Sequence, residues 1–211
     1  HETNTSFDNP LQQHDGVGIL TAAEAAFKGV LESDAAITRF IVTQSRATRS
    51  LLRMLNRDEV RELIRRHRVV DRVMDDAGRA LELARWDARD GRRIVIVATG
   101  PTAVPGLRSL ERFAETPLGE SEAVAVLLED PGNASELRPR IIAAGLPMIE
   151  ATGVGHVRDA IEQALRLSRS ARMPCVIVAE REIFHASATI EFRPNRIGDQ
   201  APAGPPRKRG P

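Results

Sequence analysis

Residues 123–133, AVAVLLEDPGN, form an apolar run that stops at Glu129-Asp130 and turns at Pro131-Gly132. Six consecutive apolar residues predict a β-strand that is buried on both faces. Two similar runs, RRIVIVAT at 92–99 and MPCVIVAE at 173–180, predict further buried strands, and helical periodicity fills the stretches between them. Strands that alternate with helices predict an α/β fold, a single three-layer domain with a mostly parallel sheet.

The 211 residues divide into a central domain and two polar ends. Residues 1–18 lack periodicity, and residues 194–211 are rich in Pro and Gly and contain a short basic cluster. We therefore expect a flexible N-terminal arm, one α/β domain at 19–193 and a basic tail. The length suits a single domain with a full core.

The composition argues against several classes of function. The formal net charge is +1 and aromatic residues make up 3%, so neither a basic surface nor a base-stacking platform marks the chain for nucleic acid. No stretch approaches the roughly 20 apolar residues of a membrane span, and no signal pattern opens the sequence. Cys175, the one cysteine, lies in an apolar run, which predicts a buried thiol in a reducing compartment. We expect a cytoplasmic protein that has neither a membrane nor nucleic acid as its partner.

Two helix signals bear on the layers around the sheet. Thr21 stands three residues before Glu24, the spacing of a capping box, and predicts the start of a helix. A second helical pattern covers residues 46–67, with a break near 56–58. It includes the Arg-rich segment RELIRRHR at 61–68. Because Glu residues share this stretch, a solvated face or a subunit contact is a better interpretation than a phosphate-binding patch.

The carboxyl ends of the predicted strands carry polar residues at the edge where a parallel sheet binds its ligands. These segments are Thr43-Gln44-Ser45, Thr99-Gly100-Pro101, Glu129-Asp130-Pro131-Gly132 and Glu180-Arg181-Glu182. Their Gly and Pro-Gly turns could present helix N-termini to an anion, or they could be ordinary turns between strand and helix. The pattern leaves both interpretations open.

Metal and nucleophile sites find no support in the sequence. The histidines have no paired ligand spacing, and one cysteine cannot form a zinc cluster, so we expect no metal-ligating residues. The serines lack a nucleophile-elbow setting, and ATGVGHVRDA at 151–160 lacks the third glycine of a dinucleotide fingerprint. Asp75 and Asp76, at a predicted helix start, could act as an acid–base pair or could simply favour the helix dipole.

The order of motifs in residues 92–178 resembles the thiamine-diphosphate-dependent 2-oxoacid:ferredoxin oxidoreductases, and in particular the indolepyruvate type. In that family a strand leads into DDPG, a polar Ser-rich segment, (I/L)PVLEPS, a helix and then LSE…PVLLR. Here Asp130-Pro131-Gly132, Pro147-Met148-Ile149-Glu150 and Pro174-Cys175-Val176-Ile177 occupy those places. The opening LTAAEAAFKGVLES is similar to the family's LxGNEAxAxGALEAG, which extends the resemblance to residues 20–197.

The resemblance implies the pyrimidine-binding domain of such an enzyme, a parallel α/β unit that clasps the aminopyrimidine of thiamine diphosphate. A separate domain or subunit would hold the diphosphate and magnesium. The implied cofactor is therefore thiamine diphosphate with magnesium, bound only together with a partner subunit. Any iron–sulfur cluster would reside on partners, because this chain has one cysteine.

In the family, a Glu hydrogen-bonded to the pyrimidine ring nitrogen helps to deprotonate the thiazolium carbon. It lies in a segment like WSVNEKVALEVAAGAxLAG, which corresponds here to RVMDDAGRALELARWDARDG. Aligning ALELA with ALEVA puts Ala77 at the Glu position and Asp76 one residue before it. Asp76 is thus the candidate catalytic residue, and a closer approach of the backbone would have to compensate its shorter reach.

The loops that line the family's pocket are changed in this chain. TGYPGTPS after the first strand is matched by TQSRATRS, which keeps three hydroxyl residues but loses the glycines and prolines, and KHVGLN is replaced by TGPTAV. The candidate cofactor-binding residues are Thr43, Thr48, Ser50, Thr99, Gly100, Asp130 and Gly132. Altered loops on a retained scaffold indicate a fold kept for packing and assembly.

Three functions remain open. The first, which we favour, is a subunit that resembles the pyrimidine-binding domain, lacks the activating Glu and acts in assembly or regulation. The second is an active thiamine-diphosphate enzyme subunit, completed by a separate diphosphate-binding chain, in which Asp76 takes the role of the Glu. The third is a binding module that uses the Arg-rich helix and the basic tail. We expect a homo-oligomer or a hetero-assembly with a diphosphate-binding subunit.

Overall fold

A six-stranded parallel sheet forms the centre of the computed structural model, which describes residues 16–33, 38–66, 69–89, 92–100, 103–132 and 136–196. Its strands are β2 (Thr38–Thr43), β3 (Val69–Met74), β4 (Arg93–Ala98), β5 (Ala123–Asp130), β6 (Met148–Ala151) and β7 (Cys175–Glu180). Two further strands, β1 (Val17–Thr21) and β8 (Ser187–Glu191), pair antiparallel with each other. The helices are α1 (Ala22–Glu32), α2 (Arg49–Leu55), α3 (Asp58–Arg66), α4 (Ala77–Ala88), α5 (Ala103–Ala114), α6 (Leu137–Ala143), α7 (Val154–Ala171) and α8 (Arg181–His185).

The order of the central sheet is β3-β2-β4-β5-β7-β6, and every neighbouring pair of strands is parallel. All eight residues of β5 are buried, which explains why its sequence shows no polar alternation. After β2 the chain adds β3 on one side and then β4 on the other. The strand order therefore reverses between β2 and β4, where a parallel sheet opens a crevice at its carboxyl edge.

Helices cover both faces of the sheet and divide the core into two parts. One part involves α1, α2, α3, α7 and α8 and includes Val97 and Ile177. The other involves α4, α5 and α6 and includes Ile96 and Leu128. Successive residues of a strand, such as Ile96 and Val97, belong to different parts because side chains alternate across a sheet. The α/β class with three layers, predicted from the sequence, is confirmed.

Helix α1 is buried along its whole length. The predicted capping box is present: the Thr21 hydroxyl accepts a hydrogen bond from the Glu24 N–H, and the Glu24 carboxylate accepts one from the Thr21 N–H at 3.0 Å. The helix lies so close to α7 that a Cβ on Gly29 would be 2.6 Å from the Arg158 carbonyl oxygen. Gly29 is therefore required for the close approach of these two helices.

Three charged residues are spaced four apart on α1 and are buried with it, namely Glu24, Lys28 and Glu32. The Lys28 ammonium donates to Asn195 Oδ1 at 2.6 Å and lies 3.5 Å from Glu32 Oε1. Glu32 Oε1 also accepts a hydrogen bond from the Arg193 N–H at 2.8 Å. Burial lowers the pKa of Lys28, and the adjacent Glu32 carboxylate opposes that shift. These polar contacts fasten residues 193–196 to α1.

The strands β1 and β8 were not predicted from the sequence. β1 begins at Val17, inside the segment expected to be an arm, and pairs with β8 along five residues. Asn195 and Arg196, expected to belong to the tail, contact α1, where the Arg196 N–H donates to the Leu31 carbonyl at 2.9 Å. Pairings between distant parts of the chain leave little local signal in short segments. Residues 1–15 and 197–211 of the predicted arm and tail lie outside the described residues.

The predicted helical region at 46–67 forms α2 and α3, with the expected break at Asn56-Arg57. On α3 the Glu62 carboxylate accepts hydrogen bonds from Arg65 and Arg66, and these bonds lower the pKa of Glu62 to about 2. The described part of the Arg-rich segment is therefore an exposed helix face with its own ion pairs.

We expect Gly29→Ala to destabilise the protein, because the added methyl group would clash with the Arg158 carbonyl of α7. Overpacking of this kind costs about 1–3 kcal/mol of unfolding free energy. Gly155→Ala in α7 is the matched control, since nothing lies within 4 Å of its Cβ position and alanine is the better helix former. Chemical denaturation compares both variants with the wild type. Equal stability of Gly29→Ala and the wild type would contradict the close packing.

We expect native Cys175 to resist thiol reagents. It is fully buried in β7, as predicted, and burial raises the pKa of its thiol from 9.0 to about 12. Because the thiolate is the reactive form, a thiol reagent at about pH 8 should leave the native protein unlabelled and should label one thiol per chain after unfolding. The raised pKa also means that this group's contribution to stability, present below pH 9.0, is lost as the pH rises towards about 12. Rapid full labelling of native protein would contradict this placement.

Candidate functional site

A cleft of about 700 Å³ opens beside the carboxyl edge of the sheet, near the reversal of strand order between β2 and β4. Its walls come from α2, from the end of β5 and from the segments after β2, β4 and β7, and they include Ser45, Gly100, Glu129 and Arg181. The volume lies within the range of about 300–1,000 Å³ that is typical of small-molecule sites. The cleft occupies the edge at which the sequence analysis expected ligands to approach.

Glu129, at the end of β5, is the buried carboxylate of the cleft. Only 4% of the residue is exposed. Its Oε2 accepts a hydrogen bond from the Gly100 N–H at 2.6 Å, and its Oε1 lies 3.9 Å from Arg181 Nε. Gly100 adopts a φ of +65°, a left-handed conformation that favours glycine over other residues. Gly100, a predicted cofactor residue, therefore lines the cleft, and its backbone holds a carboxylate that the site prediction omitted.

Three predicted cofactor residues, Thr43, Thr48 and Thr99, are fully buried and join the loops after β2 and β4. The Thr43 hydroxyl donates to the Val97 carbonyl at 3.3 Å and accepts from the Thr99 N–H at 3.1 Å. The Thr48 hydroxyl donates to the Thr43 carbonyl at 2.9 Å and accepts from the Ser45 N–H at 3.0 Å. The hydroxyls of Ser45 and Thr99 share a further hydrogen bond. These hydrogen bonds hold together the two loops that form this wall of the cleft.

Ser50, another predicted cofactor residue, lines the cleft on α2. Its hydroxyl donates to Glu24 Oε1 at 2.6 Å. The same carboxylate accepts the Thr21 N–H in the capping box of α1, and Thr21 also borders the cleft. Ser50 therefore connects α2 to the start of α1 and fixes one side of the cleft.

Four arginines line the cleft, namely Arg46, Arg49, Arg53 and Arg181. The first three are spaced three and four residues apart, so they share one side of α2 and the turn before it. Within the described part of the chain, no carboxylate forms an ion pair with Arg46, Arg49 or Arg53. Since Glu129 is the cleft's one carboxylate among the described residues, the cleft carries an excess of positive charge. The sequence contains this spacing, but the site prediction did not use it.

The predicted residues Asp130 and Gly132 do not line the cleft. Asp130 is buried, pairs with Arg138 of α6 and accepts a hydrogen bond from the Gly132 N–H at 3.0 Å. Arg138 Nε also contacts Glu150 Oε1 of β6 at 2.7 Å. Because side chains alternate along β5, Asp130 and Glu129 project from opposite faces of the sheet. Asp130 thus ties α6 and β6 to the end of β5.

Asp76, the predicted catalytic residue, is the N-cap of α4. Its carboxylate accepts a hydrogen bond from the Arg79 N–H at 2.8 Å, and the residue is exposed and outside the cleft lining. Ala77, which the resemblance aligns with the family's Glu, is buried. Its Cβ would lie 3.0 Å from a Cβ placed on Gly106 of α5. Position 77 therefore serves the close packing of α4 against α5.

The described residues provide no metal centre of the usual kind. Among them, no group of three or more His, Cys, Asp or Glu side chains is arranged to hold a metal ion. Of the helices within this part of the chain, none combines the length and apolar character needed to cross a membrane.

Comparisons with known proteins identify the fold. No family model matches the chain, and no curated protein matches its sequence. The structure is similar to that of 2-oxoglutarate:ferredoxin oxidoreductase from Magnetococcus marinus with 2-oxoglutarate, coenzyme A and succinyl-CoA bound, at a TM-score of 0.62 and 14% sequence identity. The match covers 83% of this chain and 31% of that chain. This chain therefore has the fold of one part of a 2-oxoacid:ferredoxin oxidoreductase.

Proposed function

We propose that the chain is a subunit that resembles the thiamine-diphosphate pyrimidine-binding domain of a 2-oxoacid:ferredoxin oxidoreductase, lacks the activating acid and serves assembly or regulation. The shared fold and the order of motifs in residues 92–178 support the domain assignment. The motifs themselves favour the indolepyruvate type. One observation supports the loss of the acid: Ala77, which the resemblance aligns with the family's Glu, is packed against α5.

The neighbouring carboxylates do not fit the role of that Glu. Asp76 already accepts the Arg79 N–H as a helix cap and lies outside the cleft lining. Glu129 does line the cleft, but the Gly100 N–H and the nearby Arg181 engage its two oxygens. Neither of these two carboxylates is therefore placed to supply the proton transfer that thiamine diphosphate needs for activation.

Assembly is the role that remains for a retained fold. The match covers 31% of the oxidoreductase chain, so this chain resembles one part of such an enzyme. We propose a homo-oligomer or a hetero-assembly with a subunit that binds the diphosphate and magnesium. Thiamine diphosphate would then bind only at the boundary between this chain and that partner.

Asp76→Asn separates helix capping from acid–base chemistry. Asn caps helices about as well as Asp, so the unfolding free energy should change by less than about 0.5 kcal/mol. We expect that wild type and variant, with thiamine diphosphate and magnesium, both fail to accelerate exchange of the thiazolium C2 proton in deuterated water. Proton NMR follows this exchange, for the protein alone and for the complex that co-purifies with it.

Asp75→Asn is the matched control, because it removes the adjacent carboxylate and leaves the cap. Acceleration by the wild type that is lost only in Asp76→Asn would overturn the proposal and establish an active enzyme subunit with Asp76 as its acid. Acceleration that survives in Asp76→Asn but disappears in Glu129→Gln would also overturn it and assign the acid to the cleft.

The proposed assembly predicts a particle larger than one chain of 23.1 kDa. Size-exclusion chromatography with light scattering should give at least twice this mass for the purified protein or its co-purifying complex. A stable species with the mass of one chain at micromolar concentration would count against an assembly role.

A further inference from the structure

We infer that the arginine-lined cleft binds a small molecule that carries two neighbouring anionic groups, the chemistry shared by diphosphates and dicarboxylates. The inference goes beyond the proposed function, because it requires neither a pyrimidine ring nor catalysis. It assigns a ligand class to a site whose arginines have no counterpart in the motifs that carry the family resemblance.

The charge of the cleft points to an anion. Arg46, Arg49, Arg53 and Arg181 share the cleft lining with one carboxylate, that of Glu129, which already accepts the Gly100 N–H. Cations that share a concave surface repel one another. An anion that enters the cleft would therefore relieve repulsion within the folded protein.

Several arginines of the chain use their guanidinium groups in ion pairs. Arg140 pairs with Glu111 at 2.8 Å, and Arg65 pairs with Glu62 at 2.7 Å. The three cleft arginines of α2 and its preceding turn have no such pair among the described residues. Their donors remain available for oxyanions, which guanidinium groups bind in a bidentate manner.

The cleft is also built to hold a fixed shape. The hydroxyl contacts of Thr43, Thr48 and Thr99 join the loops after β2 and β4. Ser50 connects α2 to Glu24 of the buried helix α1. A wall braced in this way presents its arginines with little rearrangement on binding, which favours affinity for a compact ligand.

A small molecule fits these observations better than a nucleic acid. The arginines line one cleft of about 700 Å³ rather than an extended stripe. Along α3, where a basic surface would continue, Arg65 and Arg66 are paired with Glu62. The positive charge is therefore concentrated in a volume suited to a ligand with two anionic groups.

Isothermal titration of the full chain with inorganic pyrophosphate, and separately with glutarate, tests the inference. We expect at least one of the two to bind with a dissociation constant below about 1 mM, and the tighter one identifies the source of the anionic groups. Loss of charge-assisted hydrogen bonds in Arg49→Ala/Arg53→Ala should weaken binding by about tenfold or more. The double variant Arg49→Lys/Arg53→Lys keeps the positive charge but loses the planar guanidinium groups that bind oxyanions in a bidentate manner. Its affinity should lie between that of the wild type and that of the alanine double variant.

Arg65→Ala/Arg66→Ala is the matched control, because it removes two exposed helix arginines and the same net charge outside the cleft. Its affinity should stay within about twofold of the wild type. Circular dichroism confirms that each variant is folded before titration. Absence of binding by both probes, or equal weakening in the two alanine pairs, would overturn the inference. If a single-stranded RNA binds more tightly than either probe and both alanine double variants weaken that binding equally, the inference is replaced by a general polyanion-binding surface.

Pyrophosphate and glutarate contain no pyrimidine or thiazolium ring. Their binding is therefore measured independently of the C2 proton exchange that tests the proposed function. Either result can fail while the other stands.

Discussion

Burial of the parallel sheet on both faces is the constraint on which the rest of the structure depends. All eight residues of β5 are buried, and helices α4 to α6 on one face and α1, α2, α3, α7 and α8 on the other leave no open face on the central strands. On the central strand β5 the charged side chains then lie where the strand ends, at Glu129 and Asp130. The hydroxyl contacts, the buried Glu129 and the arginines of the cleft all collect at the carboxyl edge for this reason.

Much of the fold could be predicted because its signals are local. Long apolar runs predicted β4, β5 and β7, and the spacing of Thr21 and Glu24 predicted the start of α1. The strands β1 and β8 could not be predicted in the same way. Each has five residues, and each depends for its pairing on a strand at the other end of the domain. Such pairing is decided by tertiary contacts rather than by the segment's own pattern.

The site was harder to predict than the fold, and the end of β5 shows why. The sequence located Glu129 and Asp130 at the ligand edge, but a shift of one residue decides which carboxylate faces which side of the sheet. Glu129 lines the cleft, while Asp130 pairs with Arg138 on the opposite face. The hydroxyl residues after β2 lie beside the cleft. Their hydrogen bonds to the backbone, however, depend on the neighbouring strand β4, which the loop sequence does not reveal.

The buried ammonium of α1 has a consequence for biosynthesis. Lys28 donates to Asn195, a partner 167 residues later in the chain. At ordinary rates of translation, about ten to thirty seconds separate the synthesis of these two residues. During that interval Glu32 on the same helix can compensate the Lys28 ammonium, but Asn195 cannot. The polar surroundings of Lys28 are therefore completed only after the segment that follows β8 has been synthesised.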